Sequence, residues 1–284
     1  MYRNKIGVIV DSFKIPILDG IKAARELGAN GIQIYAVDGI MSPENLDKEK
    51  RKEILKYIRG NDLLVSALCG DLGGHGFTIE KDNKSKIEKS KRILDLALDL
   101  ETRVVTTHIG VVPEDEREET YYILQEALFK LGEVGKDIGG YFAIETGPEK
   151  TAVLKNLLDS INTKGMKVNY DPANLVMVTD DDPVQGVYNL KDYIVHTHAK
   201  DGVMIKKTDP KIIYDYFAEG GIEDIRLEEY FKETPLGSGS VDFENYMNAL
   251  KDISYTGFLT IEREIVDNPY KEISFAVDYL RGLL

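Results

Sequence analysis

Short apolar, β-prone runs alternate along the chain with longer stretches in which apolar residues recur every three or four positions. Eight runs occur in order, near 5–11 (KIGVIVD), 31–36 (GIQIYA), 62–70 (DLLVSALCG), 102–109 (TRVVTTHI), 140–146 (GYFAIET), 166–171 (MKVNYD), 193–199 (YIVHTHA) and 257–263 (GFLTIER). Runs of this length and composition read as strands, and the three-to-four spacing reads as amphipathic helix. The helical stretches are IKAARELGA, PENLDKEKRKEILKYIR, SKIEKSKRILDLALDL, EETYYILQEALFKLGEVGKDI and EKTAVLKNLLDSI, with a weaker one over 183–192. VDFENYMNALKDI and YKEISFAVDYLRGLL complete the series.

Start and stop signals punctuate this alternation. Ser42 just ahead of Pro43 predicts a helix start there. Gly28, Gly60 and Gly139 each follow an amphipathic stretch, where a helix end needs a left-handed residue. The near-continuous hydrophobicity of LLVSAL suits a sheet buried on both faces. Strand–helix alternation repeated eight times favours a closed α/β barrel over an open sheet, and 284 residues is an ordinary length for a (β/α)8 TIM barrel. No linker or composition shift marks a second domain, so the expectation is one barrel over 1–284. One connection breaks the rhythm. About forty residues, 201–240, separate the seventh run from the next helix, and a connection that long is expected to be a lid or binding loop over the C-terminal face.

Composition narrows the function classes. Apolar residues make up 43% of the chain, enough for a substantial core, and no stretch approaches a membrane span. The start, MYRNKIGVIVDS, has no basic region followed by a long apolar one, so the cytoplasm is the expected location. The single Cys69 excludes an internal disulfide and reads as a small buried hydrophobe. A net charge of −13 argues against a nucleic-acid partner. The lysine-rich stretches are interleaved with glutamate at helical spacing and read as solvated helix faces.

The chemistry-bearing residues stand at the trailing ends of strands. Glu145 ends YFAIE, Asp171 ends MKVNYD, His198 ends YIVHTH and Glu262 ends GFLTIE. Each has a structural alternative. A glutamate there can cap the next helix, Asp171 before Pro172 can form a turn, His198 can be a core histidine, and Glu262 can pair with Arg263. In a barrel all four converge on one mouth, and that oxygen-and-imidazole set suits a divalent metal ion such as Mn, Co, Mg or Zn. Such an ion would polarise the carbonyl of a chelated hydroxy-carbonyl substrate and favour an enediolate-like anion. Glu145 and Glu262 could then remove and return the proton. His75 in a glycine-rich loop and His108 at a strand end are candidate substrate contacts. The Gly237-Ser238-Gly239 turn is a candidate amide nest for an anion, or simply a tight turn.

The segments AIETGPE, VNYDPANL, VHTHAKDG, PLGSGSVDFENY and FLTIERE resemble the sugar phosphate isomerase/epimerase family, within the xylose-isomerase-like TIM barrel superfamily. The resemblance spans essentially the whole chain. It is similar to the family's tagatose/psicose 3-epimerases and its inosose isomerases and dehydratases. It implies metal ligands at Glu145, Asp171, His198 and Glu262, with Glu145 and Glu262 also the acid/base pair. His198 rather than His196 matches the family's H-x-K-D motif, and His196 lies deeper. Asn174 stands where the ketose epimerases carry a substrate-contacting histidine. Where they place an arginine beyond the metal histidine this chain has no clear match, and Lys200 and Lys206 are the nearby cations. Asn174 and Lys200 are expected substrate contacts.

The expected function is a metal-dependent isomerase or epimerase of a sugar or cyclitol, with Mn the expected ion. A lyase or dehydratase acting on an inosose or keto-glycoside shares the same first proton abstraction. An abasic-site endonuclease is a more remote relative in function, disfavoured by Asn174, by the missing Asp-x-His pair and by the negative charge. A homodimer is expected from the barrel type alone.

Overall fold

In the computed structural model, which describes residues 4–264 and 267–284, the eight apolar runs form a closed parallel barrel. Its first seven strands are β1 (Lys5–Ile9), β2 (Gly31–Tyr35), β3 (Leu64–Cys69), β4 (Val104–Thr107), β5 (Tyr141–Glu145), β6 (Met166–Tyr170) and β7 (Ile194–Ala199). A separate antiparallel pair follows, β8 (Asp201–Met204) with β9 (Phe231–Thr234), and β10 (Phe258–Ile261) closes the barrel between β7 and β1. The eight barrel strands therefore coincide with the eight sequence runs.

The helices alternate as the pattern requires. They are α1 (Ile17–Glu26), α2 (Lys48–Gly60), α3 (Glu80–Asp99), α4 (Glu119–Ile138), α5 (Thr151–Ile161), the single turn α6 (Pro172–Asn174), α7 (Pro183–Asn189), α8 (Pro210–Ala218), α9 (Phe243–Asp252) and α10 (Pro269–Leu283). The main apolar core lies between the strands' outer faces and the helix ring, with Ile32, Ile34, Leu68, Phe142, Leu154 and Leu250 buried there. Inside the barrel the packing is different. Gln33, Ser66, Thr106, Asn169, His196 and Thr260 are all buried and hydrogen-bonded to one another. A polar interior directly beneath the mouth is what a site of oriented ligands needs, because each buried polar group must find a partner.

Two boundary signals read differently in three dimensions. Helix α2 starts at Lys48, not near Ser42-Pro43, because Asp47 takes the capping role and accepts from the amides of Glu49 and Lys50. Ser42 instead caps a turn through its carbonyl, which accepts from Asn45 and Leu46. Gly60 lies inside α2, and the left-handed residue after that helix is Asp62, with φ of 53°. Gly28 (φ 81°) and Gly139 (φ 72°) do end their helices in the left-handed region.

The 201–240 segment is structured rather than an open loop. Asp201 pairs with Thr234 and Met204 with Phe231 across the β8–β9 ribbon, and α8 lies between the two strands in sequence. Residues Ile213, Tyr214, Phe217, Ala218 and Phe231 from this insertion line a cavity of about 280 Å³ at the barrel mouth.

Candidate metal centre

Strand register brings the four candidate ligands to one point. Glu145 is the last residue of β5, Asp171 and Glu262 each follow the ends of β6 and β10 by one position, and His198 is in β7. A pair of hydrogen bonds ties the first two ends together. Thr146 Oγ1 donates to the Asp171 carbonyl and accepts from the Asp171 amide, both at 2.8 Å. One donor atom from each of the four residues lies within 4.8 Å of every other. His198 Nδ1 is 3.3 Å from Glu262 Oε2, 3.4 Å from Glu145 Oε1 and 3.5 Å from Asp171 Oδ2. All four side chains are buried.

The structural alternatives for these residues resolve individually. Asp171 caps α6 with Oδ1, accepting from Ala173 N at 2.7 Å and Asn174 N at 3.2 Å. Its Oδ2 is left without a hydrogen bond, facing the cluster. It is thus a turn former with one oxygen and a candidate ligand with the other. Glu262 does not pair with Arg263, which binds Glu233 at 2.5 Å. Glu262 is held by Lys200, whose Nζ lies 2.9 Å from Oε2 and 2.6 Å from Glu264 Oε2.

A layer beneath the ligands sets their orientation. Gln33 Nε2 donates to Thr106 Oγ1 at 3.1 Å, which turns its amide oxygen toward His198 Nε2, also 3.1 Å away. His198 therefore donates from Nε2 and leaves the Nδ1 lone pair facing the three carboxylates. His196 is one layer deeper. Thr260 donates to its Nε2 at 3.0 Å, and its Nδ1 donates to Asn169 Oδ1 at 2.8 Å. Asn169 Nδ2 then donates to Glu145 Oε2 at 3.0 Å. Burial holds the His196 pKa well below the ordinary imidazole value, consistent with this neutral role.

Electrostatics at the centre favour a cation. Burial works against charge on His198, yet the Glu145 and Glu262 carboxylates outweigh it and raise its pKa well above the ordinary value. Burial likewise acts to raise the Glu262 carboxyl, but the Lys200 ammonium and then His198 pull it well below. For Asp171, desolvation dominates and the pKa is raised. The observation that tests a metal's fit is the orphaned pair: Asp171 Oδ2 and His198 Nδ1 are buried, unpartnered and 3.5 Å apart. A buried carboxylate oxygen and a ring nitrogen aimed at one another require something positive between them, which is a proton on Nδ1 or a metal ion. With Glu145 and Glu262 they offer three oxygens and one nitrogen, a donor set suited to a divalent ion.

The other sequence candidates divide. His108, just past β4, lines the cavity; its Nδ1 is 3.0 Å from Asp71 Oδ2 and its Nε2 is 3.7 Å from Glu145 Oε1. Burial lowers its pKa, but Glu145 and Asp71 together push it up to about 10. Asn174 also lines the cavity and donates to the Thr146 carbonyl at 3.0 Å and to Glu145 Oε1 at 3.3 Å. Lys200 is on the cavity wall. His75 is not brought to it. Its ring points at the insertion, with Nε2 2.5 Å from Glu219 Oε1 and Nδ1 3.6 Å from Asp215 Oδ1. The Gly237–Gly239 amides do bind a carboxylate, but it is the chain's own Asp201. Sequence reasoning passed over Asp71, Gln33 and Asn169. Asp71 stands just past the third strand, the same signal that marked the ligands. Gln33 and Asn169 are polar residues inside apolar runs, at the inward phase of their strands.

A closed (β/α)8 barrel with a buried Glu/Asp/His/Glu cluster at its C-terminal mouth suits a divalent-metal site. The chain belongs to the xylose isomerase-like TIM barrel family, whose sequence profile matches residues 21–283. Among curated proteins it is 24% identical over 232 residues to an uncharacterized protein of Methanocaldococcus jannaschii, covering 77% of this chain and 70% of that one. It is also 24% identical over 174 residues to inosose dehydratase of Geobacillus thermodenitrificans, covering 58% of this chain and 55% of that protein. Its fold is similar to the crystal structure of a xylose isomerase domain protein from Planctomyces limnophilus, with a TM-score of 0.79, 22% identity and coverage of 99% and 96%. It is also similar to D-psicose 3-epimerase from Clostridium cellulolyticum, with a TM-score of 0.73, 14% identity and 99% of each chain covered. Among the described residues, no helix is long and apolar enough to cross a membrane.

Proposed function

We propose that this protein is a divalent-metal-dependent isomerase or epimerase of a hydroxy-ketone, a sugar or cyclitol, acting by proton transfer between Glu145 and Glu262. The observation that carries the reading is the placement of two glutamates 3.4 and 3.3 Å from His198 Nδ1, both lining the cavity and both part of the four-residue cluster. Mn is the ion we expect. When bound, a divalent ion would polarise a chelated carbonyl and acidify the neighbouring C–H.

The protein's own groups account for the rest of the chemistry. Lys200 keeps Glu262 ionised despite its burial, which is the state a proton acceptor must start from. Asn169 and Asn174 hold the two oxygens of Glu145, fixing the carboxylate's direction. Tyr214 and Phe217 of the insertion line the cavity and would limit the access of bulk water while the proton is moved.

A lyase is the second reading, favoured by the inosose dehydratase relative. Elimination shares the first proton abstraction and differs only in whether a leaving group follows. Incubation of the Mn-loaded protein in D₂O with ketoses, inososes and keto-glycosides separates the two. An isomerase gives product of unchanged formula with deuterium at the abstracted carbon, whereas a lyase gives loss of water or aglycone. If Glu145→Gln and Glu262→Gln both keep full turnover, the proton-transfer assignment is wrong.

A further inference from the structure

The residues that line the mouth cavity divide by where they come from. Barrel-strand ends and the short segments after them supply polar groups, among them Asp71, His108, Glu145, His198 and Glu262. The insertion and a turn after α6 supply a different surface. Ile213, Phe217 and Ala218 come from α8, Phe231 comes from β9, and Met177 and Val178 come from a π-helical turn over Leu175–Thr179. Turns of that kind recur at functional sites. The insertion's two polar side chains on the cavity are already engaged. Tyr214 donates to the Gly74 carbonyl at 3.1 Å, and Glu233 accepts from the Arg263 guanidinium and the Glu264 amide.

A free sugar or cyclitol matches that apolar surface poorly. It carries an oxygen on nearly every carbon, and each buried hydroxyl needs a hydrogen-bond partner. Six apolar side chains offer none. Phe217 carries the argument further. Ile213, Met177 and Phe231 are buried by the fold itself, whereas Phe217 stays 59% exposed although it lines the same cavity. A solvated aromatic ring that shares a cavity with buried apolar neighbours is a surface for a ligand to cover. Phe217 and Phe231 suit an aromatic group packed offset or edge-to-face, and the Met177 thioether suits a sulfur–aromatic contact.

We infer that the substrate carries an aryl substituent, which fills the space lined by Phe217, Phe231 and Met177 while its hydroxy-ketone end meets the carboxylate cluster. The ligand class is an aryl keto-glycoside, not a free ketose or inosose, and Phe217 is the residue that sets this preference. The inference rests on the proton-transfer reading for the polar end of the ligand. Its test reads binding of the aryl end without turnover.

The probes are phenyl and methyl β-D-glucopyranoside, which differ only in the substituent and carry no ketone to react. Calorimetric titration of the Mn-loaded protein should show the phenyl glucoside binding about tenfold or more tightly. Phe217→Ala should cut that ratio to about threefold or less, with a melting temperature within a few degrees of the parent's because the ring is largely solvated. Phe129→Ala, at a similarly exposed ring on α4 outside the cavity, should leave the ratio at its parental value. Equal binding of the two glucosides, no binding of either, or a ratio unmoved by Phe217→Ala overturns the inference. Product mass separates it from the reading on which it rests. Isomerised or dehydrated product from free ketoses or inososes, beside equal glucoside binding, keeps proton transfer and removes the aryl site. A phenyl preference that depends on Phe217, with no product from phenyl keto-glucosides or from any free hydroxy-ketone tested, does the reverse.

Discussion

The Nε2 atom of His198 lies 3.1 Å from the side-chain oxygen of Gln33, on the opposite side of the barrel interior. That contact fixes which ring nitrogen faces Glu145, Asp171 and Glu262. Gln33→Leu removes the acceptor and frees the ring to change tautomer. Partners of this kind typically tune metal affinity ten- to a hundredfold. The variant should keep its fold and bind Mn about tenfold to a hundredfold more weakly, as measured by calorimetry. Unchanged affinity would mean that Gln33 serves only to fill the barrel.

Removing Lys200 exposes what it compensates. Lys200→Met would leave Glu262 buried against the cluster with its nearest cation gone. Breaking a buried pair from one side typically costs about 3–5 kcal/mol. Chemical denaturation should detect a loss in that range, and added Mn should recover part of it. A loss under about 1 kcal/mol would show that Lys200 carries little of the cluster's charge balance.

Glu149 gives a stability change with a defined pH window. Its carboxyl is buried, neither oxygen has a hydrogen-bond partner, and burial pushes its pKa up to about 8. Below the ordinary value of 4.5 the group is protonated in both states, so nothing changes there. Between that value and about 8 the folded protein retains a proton that the unfolded chain has released. Stability therefore falls as pH rises across this window and levels off above it. At about 1.4 kcal/mol per pH unit the ceiling is about 5 kcal/mol. Glu149→Gln should remove the slope, so that its melting temperature exceeds the parent's by more at pH 8.5 than at pH 5. Parallel melting curves for the two proteins would refute this.

His75 tests the attachment of the insertion. Its contacts with Glu219 and Asp215 join the loop after β3 to the region of α8, and Tyr214 adds a bond to the Gly74 carbonyl at 3.1 Å. Partly exposed pairs contribute little, so His75→Ala should change global stability by less than about 1 kcal/mol. Limited proteolysis should nevertheless cut faster within 205–231, because local opening depends on those few bonds. Proteolysis at the parental rate would place the anchoring elsewhere, in the apolar contacts of Ile213 and Phe231.

Glu145→Gln and Glu262→Gln should each lower turnover at least about a hundredfold while leaving the melting temperature of the metal-free protein within a few degrees. They should differ in one respect. Loss of charge at Glu262 also frees Lys200, so only that variant should alter the pH dependence of ligand binding. Identical pH profiles for both would argue that Lys200 is neutralised by Glu264 alone.

Much of this was legible in the linear pattern. Alternating apolar runs and amphipathic stretches determined the eight strands and their order, because a strand buried on both faces must be apolar whatever it packs against. The same logic located Glu145, Asp171, His198 and Glu262, since a charged residue at the end of such a run has only the barrel mouth to face. What escaped the sequence depended on partners distant along the chain. Ser42 and Asp47 are both competent caps, and only packing selected Asp47. The Gly237–Gly239 turn reads as an anion nest until Asp201, thirty-six positions earlier, is seen inside it. His75 looked like a mouth residue, yet its direction is set by Glu219 from the insertion. Local periodicity encodes which residues are buried; which polar group meets which is decided only when the barrel closes and brings β2, β5, β6, β7 and β10 together around one point.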